Sequence, residues 1–309
     1  MIPAYVDGIL AGQLDAAADI ELVQDKGLFL LVDGHRGFGH IVAEQAMTLA
    51  IDRAQTHHFA MLSLRNSFHL GRLGDWGIMA AEAGFICILY ANVQSARPLV
   101  APFGGSDARF VTNPYCTAIP ATEKHPMFVL DMATSTIAMG KARVAQLSGK
   151  PAPEGALIDA QGNATRDPSV VFDGAGGALT AFGQHKGFGL ALLGDILGGS
   201  FSGGGAYAPE REVPDRIVNN MMAILIDPNV FGLAQSFGVD VDSYTDWVKA
   251  SPAAPGTAGV QFPGDPERRS TAERSAKGIP LDAGTLAQLS EAARKAGVPA
   301  SEHLCSTSD

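Results

Sequence analysis

A histidine, two carboxylates and a lysine, each set among glycines or at the end of an apolar run, are the residues of this 309-residue chain whose types and spacing suggest chemistry. His69 lies in residues 61–76, MLSLRNSFHLGRLGDW, after a strand-like alternation (Met61, Leu62, Leu64) and the polar turn Arg65-Asn66-Ser67. A strand that ends in a polar, glycine-flanked turn puts its side chains at a sheet's carboxyl edge, where α/β proteins place ligands. An imidazole there exchanges a proton near neutral pH, because its ordinary pKa is about 6.5. A histidine that only caps a turn has the same spacing, and both readings stand.

Three further segments could hold an anionic ligand. In Gly183-Gln184-His185-Lys186-Gly187-Phe188-Gly189 a lysine sits at a helix start, where free N–H groups, the helix dipole and an ammonium would converge on a phosphate. The alternative is a close helix–sheet contact permitted by glycine, with Lys186 solvated. Asp131-Met132-Ala133-Thr134-Ser135 delivers a carboxylate at a strand end, suited to ribose hydroxyls or equally to a helix cap. Pro263-Gly264-Asp265 reads as an ordinary turn in a long loop.

The elements that must position these residues alternate between strand and helix. Residues 20–32 read as two short strands around Lys26-Gly27, residues 40–56 as a helix, 59–64 as a strand, 76–83 as a helix and 85–91 as a buried strand. Strands at 117–120 and 127–130 and a helix at 138–146 follow, then a helix at 186–197 and a glycine–serine loop at 198–205, read as a mobile connection. A strand at 222–227, a helix within 231–250, a proline-rich loop at 251–264 and a last helix at 281–296 complete the chain. The irregular returns favour a mixed sheet over a purely parallel one.

Composition narrows the function classes. With 46% hydrophobic residues and 36 glycines the chain is a compact α/β protein, and a net charge of −10 argues against a nucleic-acid footprint. The cysteines, Cys87, Cys116 and Cys305, match neither a disulfide framework nor a zinc spacing, which fits a reducing compartment. No secretory leader opens the chain and no run reaches the roughly 18 apolar residues of a membrane span, so we expect a soluble, cytoplasmic protein. The Rossmann fingerprint, the P-loop, the H-E-x-x-H zinc motif and the G-x-S-x-G elbow are all absent, so no metal is expected.

Taken together, a series of short motifs resembles the type-2 malate/L-lactate dehydrogenase family, most closely its hydroxycarboxylate dehydrogenase B branch. They are the turn from Asp33-Gly34 to Gly39; Asn66-Ser67-Phe68-His69-Leu70-Gly71; Val100-Ala101-Pro102-Phe103-Gly104-Gly105; Thr112-Asn113-Pro114; and Asp131-Met132-Ala133-Thr134-Ser135. His185-Lys186-Gly187-Phe188-Gly189-Leu190, Ile226-Asp227-Pro228, Pro263-Gly264-Asp265 and Lys277-Gly278-Ile279-Pro280-Leu281 follow in family order. The resemblance implies a mixed-sheet, non-Rossmann α/β fold of the malate/L-lactate/sulfolactate dehydrogenase kind, with NAD or NADP as cofactor. It implies hydride transfer to a 2-oxo acid of the malate, lactate, phenyllactate or 2-hydroxyglutarate type, with cyclic imino-acid reduction as the alternative.

The resemblance also implies roles. His69 would exchange the proton at the substrate's C2 oxygen, and Asp195 would join it in the catalytic site. Ser95, Asn113, Asp131, Met132, Ala133, Lys186, Gly187, Pro263, Gly264 and Asp265 would hold the dinucleotide. Residues 59–227 would form the dinucleotide-binding domain, and residues 1–58 with 228–309 the substrate and dimerisation region of a homodimer. Relatives carry a Ser-His-Gly motif on helices ahead of the segment matching Met1-Ile2-Pro3, and that motif is absent here. We therefore expect Met1 to be an internal methionine of a longer reading frame; a naturally shortened chain that binds the dinucleotide without turnover is the other reading.

Overall fold

The computed structural model describes residues 1–94, 97–172, 174–207 and 217–298. Its centre is a seven-stranded sheet in the order β1-β2-β3-β10-β4-β5-β6. The strands are β1 (Glu21–Asp25), β2 (Phe29–Asp33), β3 (Phe59–Ser67), β4 (Ile86–Gln94), β5 (Tyr115–Ile119), β6 (Phe128–Met132) and β10 (Val218–Ile226). Only β2 and β3 pair in parallel; every other neighbour is antiparallel. The sheet is thus mixed, as the irregular chain returns required. A small second sheet, ordered β8-β7-β9, is built from β7 (Leu157–Ile158), β8 (Ala164–Thr165) and β9 (Ala178–Leu179).

Helices α1 (Ile2–Leu10), α2 (Gly39–His57) and α3 (Leu73–Glu82) precede or flank the first sheet, and α4 (Met139–Leu147) and α5 (His185–Leu193) accompany the second. The chain ends in α6 (Ala234–Lys249), α7 (Asp265–Lys277) and α8 (Ala283–Lys295). One face of the large sheet is sealed by α2 and α3, whose Met47, Ala50, Ala54, Trp76 and Ala80 meet Leu62, Leu64, Leu89, Met221 and Leu225 in a single apolar cluster. Each fully buried leucine there stabilises the fold by roughly 1.5–3 kcal/mol. On α2 the inward stripe runs through Val42, Ala46, Met47 and Ala50, while the apolar Ile41 faces solvent at 49% exposure. Val100, Phe110, Leu157, Phe172 and Leu179 make a second cluster around the small sheet.

Four local expectations are corrected. β3 does not stop at Leu64 but runs through Arg65-Asn66-Ser67, because β10 supplies pairing partners that no local pattern announces. The register slips between Asn219 and Met221, and Asn66 takes φ +54°, so the polar turn is a bulge inside the strand. The helix after Lys186 passes at Gly194 into a π-helical segment, Gly194–Ser200. The glycine–serine loop beyond it is packed rather than mobile: a Cβ on Gly204 would lie 2.0 Å from Asn220 Oδ1, and one on Gly199 2.3 Å from Asn92 Nδ2. Helix α7, finally, rises directly from Pro263-Gly264-Asp265, where only a loop was read. The expected domain boundary at residue 58 runs through the sheet, since β2 pairs with β3 across it.

Candidate active site

The bulge in β3 sets the position of His69. Asn66 donates its N–H to Asn220 Oδ1 at 2.8 Å and its amide to Asp33 Oδ1 at 3.1 Å, while Arg65 Nε meets Asp33 Oδ2 at 2.8 Å. The chain then leaves the strand, with Phe68 N–H on the Gly37 carbonyl and Leu70 N–H on Asn219 Oδ1. Helix α2 begins against this segment at Gly39, where a Cβ would stand 2.0 Å from the His69 carbonyl oxygen. Glycine is therefore required at the first residue of α2 for His69 to sit where it does.

The His69 ring is half-buried and its Nδ1 lies 2.8 Å from the Tyr5 hydroxyl. Burial chiefly, with the charge of nearby His40 and of the amino terminus, holds its pKa down to about 4. The imidazole is consequently neutral at physiological pH. Sequence reasoning missed Tyr5, because only the fold carries α1 across to position 69.

His69 opens on a cavity of about 220 Å³ whose walls include Arg72, Thr112, Asp131 and Asn219. Asp131 Oδ2 is 3.2 Å from Arg72 Nε, and Arg72 also pairs with Asp75 at 2.9 Å. Burial pushes the Asp131 carboxyl upward against the opposing pull of the Gly74 N–H and Arg72. Gly74 has to be glycine here, because a Cβ would come within 2.6 Å of Asp131 Oδ2. Arg72 is a wall of a second cavity too, of about 340 Å³, lined also by Val129, Gly264, Glu267 and Arg268. Val129 and Asp131 are two residues apart on β6 and so point to the same side, which makes the two cavities neighbours along one strand.

The other expected site residues fall into three places. Met132 closes β6 opposite Tyr115, and Ala133 follows it half-buried. Asn113 and Asp195 come together: Asn113 Nδ2 donates to Asp195 Oδ2 at 2.8 Å and Asn92 Nδ2 to Oδ1 at 3.2 Å. Burial pushes the Asp195 carboxyl up, opposed by those two amide donors. Neither Asp195 nor Asn113 lines the His69 cavity, although Ala91, Val93, Thr112 and Pro114, which flank Asn92 and Asn113, do. Lys186 is exposed at the start of α5 and is a wall of neither cavity; Gly187 packs on the Phe182 carbonyl, 2.1 Å from where its Cβ would stand. The segment before Lys186 is tied to the Asp131 segment through the Phe182 N–H on the Thr134 carbonyl at 3.0 Å.

Pro263 accepts from Val129 N–H at 3.3 Å, which brings Gly264, at φ +95°, to the second cavity. Asp265 turns inward on its own loop, accepting from Phe262 N–H at 2.9 Å and pairing with Arg268 and Lys249. Burial would raise its pKa, but these contacts outweigh it and hold the carboxyl low. Ser95 and Cys305 lie outside the described residues. Among the described residues no cluster of three metal-ligating side chains occurs, and no helix is long and apolar enough to cross a membrane.

Comparison with known proteins places this arrangement. Residues 1–290 match the family described as malate/L-lactate dehydrogenase. Hydroxycarboxylate dehydrogenase B of Escherichia coli K12 is 41% identical over 301 residues, covering 97% of this chain and 82% of the relative. A solved E. coli structure, described provisionally as a malate/lactate dehydrogenase, superposes with a TM-score of 0.92 at 40% identity, covering 99% of this chain and 84% of that one. The Δ1-piperideine-2-carboxylate reductase of Pseudomonas syringae superposes at 0.80 with 28% identity, over 94% and 85% of the two chains. The chain belongs to the malate/L-lactate dehydrogenase family of oxidoreductases and has the mixed-sheet fold of its relatives.

Proposed function

We propose that this protein interconverts a small 2-oxo acid and the corresponding 2-hydroxy acid with a nicotinamide dinucleotide, His69 exchanging the proton at the C2 oxygen. The observation that carries this reading is the single cavity in which His69, Arg72 and Asp131 converge. Its donor set fits such a cofactor: Asp131 offers carboxylate oxygens to a ribose diol, and Gly264 presents bare backbone to the adjoining cavity. When bound, the dinucleotide supplies or accepts the hydride at C2.

The remaining work falls to the protein's own side chains. Tyr5 occupies Nδ1 of His69; by accepting its N–H it fixes the tautomer whose Nε2 lone pair is free to take the hydroxyl proton. In the reductive direction the same nitrogen returns the proton to the carbonyl oxygen. Arg72, the one lysine or arginine among the described residues of the cavity wall, draws in the substrate carboxylate. Asp195 and Asn113 act from behind the wall, fixing β4 and the Thr112–Pro114 segment through their hydrogen bonds. Lys186 and Gly187, whose loop is tied to the Asp131 segment through the Phe182–Thr134 hydrogen bond, would secure the phosphates. Residues 59–227 take the larger share of dinucleotide binding, residues 1–58 with 228–309 contribute Tyr5 and Gly264, and the protein works as a cytoplasmic homodimer.

The test is an assay of NADH or NADPH consumption with oxaloacetate, pyruvate, phenylpyruvate and 2-oxoglutarate. Turnover of at least one supports the reading, and none with any of them counts against it. The likeness to the P. syringae reductase favours cyclic imino-acid reduction as the second reading, so Δ1-piperideine-2-carboxylate belongs in the same panel. Thermal stabilisation by cofactor without turnover would instead mark a binding protein.

A further inference from the structure

We infer that Glu267 makes this site select NADH over NADPH, by placing an unpaired carboxylate beside the ribose that carries the extra phosphate. The inference rests on the dehydrogenase reading and adds to it the choice of cofactor. His69 fixes the reacting end in the cavity of about 220 Å³, which leaves no room there for the adenosine half as well. The cavity of about 340 Å³ adjoins it along β6 and shares its Arg72 wall, and we place that half there. Ile78, Met127 and Val129 give that second cavity apolar walls of the kind a purine ring occupies.

NADPH differs from NADH there by a phosphate ester, a group bringing close to two negative charges. Dinucleotide sites accept the unmodified ribose with an acidic side chain and the phosphorylated one with an arginine. Neither arginine of this cavity is left for that phosphate, Arg72 because it already serves the substrate carboxylate in the neighbouring cavity. Arg72 is shared between Asp131 and Asp75, and Arg268 is held by Asp265 at 2.5 Å and by the Met127 carbonyl at 2.8 Å. Lys249, nearby, also spends its charge on Asp265.

Glu267 has no hydrogen-bonded or ion-paired partner among the described residues, and it lies within electrostatic reach of Asp131. Asp265 and Glu267 also fill the first turn of α7, so the positive end of that helix is complemented by the protein's own carboxylates. A phosphate entering the cavity meets Glu267 on its wall and Asp131 just beyond it, with no free cation among the described residues of that wall.

The experiment is a fluorescence titration of the full chain with NADH and with NADPH, read as dissociation constants. Wild type is expected to bind NADPH at least about tenfold more weakly, since like-charge juxtaposition costs a kcal/mol or more. Glu267→Gln should shrink the ratio about tenfold from both sides, removing repulsion from NADPH and an acceptor from NADH, and Glu267→Arg should invert it. Glu267 is exposed, so neither change threatens folding. Glu273→Gln, two turns further along α7, is the control for a general change of charge and should leave the ratio where it was. Equal affinities in wild type, or an unchanged ratio in Glu267→Gln, overturns the inference while leaving the dehydrogenase reading intact. Failure of both dinucleotides to bind removes the inference and the reading together.

Discussion

Burial holds the His69 imidazole at a pKa of about 4, well below the 6.5 of a free side chain, with His40 and the amino terminus adding to the effect. The unfolded chain therefore binds a proton between those values that the folded protein refuses, and stability must fall as pH drops from about 6.5 towards about 4. Asp131 and Asp195 act in the opposite sense, because their raised carboxyls take up protons in the folded state first and acidification relieves their burial cost. Comparing wild type with His69→Gln isolates the imidazole: between about pH 7 and about pH 5, urea titration should show wild type losing about 2 kcal/mol more than the variant. Equal losses would mean that the ring titrates normally. In the assay, His69→Ala should lower kcat by roughly 10²–10⁴-fold while dinucleotide titration remains near wild type. Tyr5→Phe removes a single hydrogen bond at Nδ1, so about a fivefold to tenfold loss of kcat/KM is expected, with His69 nitrogen shifts by NMR reporting a mixture of tautomers.

Among the elements, the bulge of β3 and the start of α2 do most to place the site, and glycine is decisive at their junction. Gly39→Ala should drive α2 and the His69 carbonyl apart, lowering stability by about 1–3 kcal/mol and kcat with it. Calorimetry and the assay would reveal this; an unperturbed variant would show that the contact yields easily. These elements also show why sequence sufficed in some places and failed in others. Strands β2 and β4 and helix α3 carry their own periodicity and the turn at Lys26-Gly27 marks β1, so these elements are readable, and His69, Asp131 and Gly264 fall at strand or turn positions. The extension of β3 through Asn66 depends on Asn219 and Asn220, about 150 residues away, and no local pattern contains that pairing. Helix α7 buries none of its residues and thus has no apolar stripe to betray it. The π-helical Gly194–Ser200 is legible only from the close approach of Gly198 and Gly199 to β4, which removes the space side chains would need. Tyr5 belongs to the same class, a local helix residue given its role by a contact 64 positions distant.

For the whole molecule, the unresolved relation is between the exposed apolar surface and the site beneath it. Leu192, Leu193, Ile196 and Phe201, between 38% and 57% exposed, cover the outer side of α5 and the π-helical segment. The inner side of that same segment carries Asp195 and packs against β4 and β10. A second copy covering this face would remove several large side chains from water and also brace the backbone that holds Asp195 in place. Each chain carries a net charge of −10, so two copies repel at long range, and added salt should tighten a dimer whose contact is apolar. Light scattering is therefore expected to give about twice 32.1 kDa, with dissociation on dilution suppressed as ionic strength rises. Ile196→Glu should yield a monomer of native circular dichroism and lower melting temperature, because a carboxylate on that face has no partner in the isolated chain to satisfy it across the interface. A wild-type monomer at all salt concentrations would dispose of the dimer, and an Ile196→Glu dimer would move the contact to another face, with Tyr244 and Trp247 of α6 the next exposed pair to substitute.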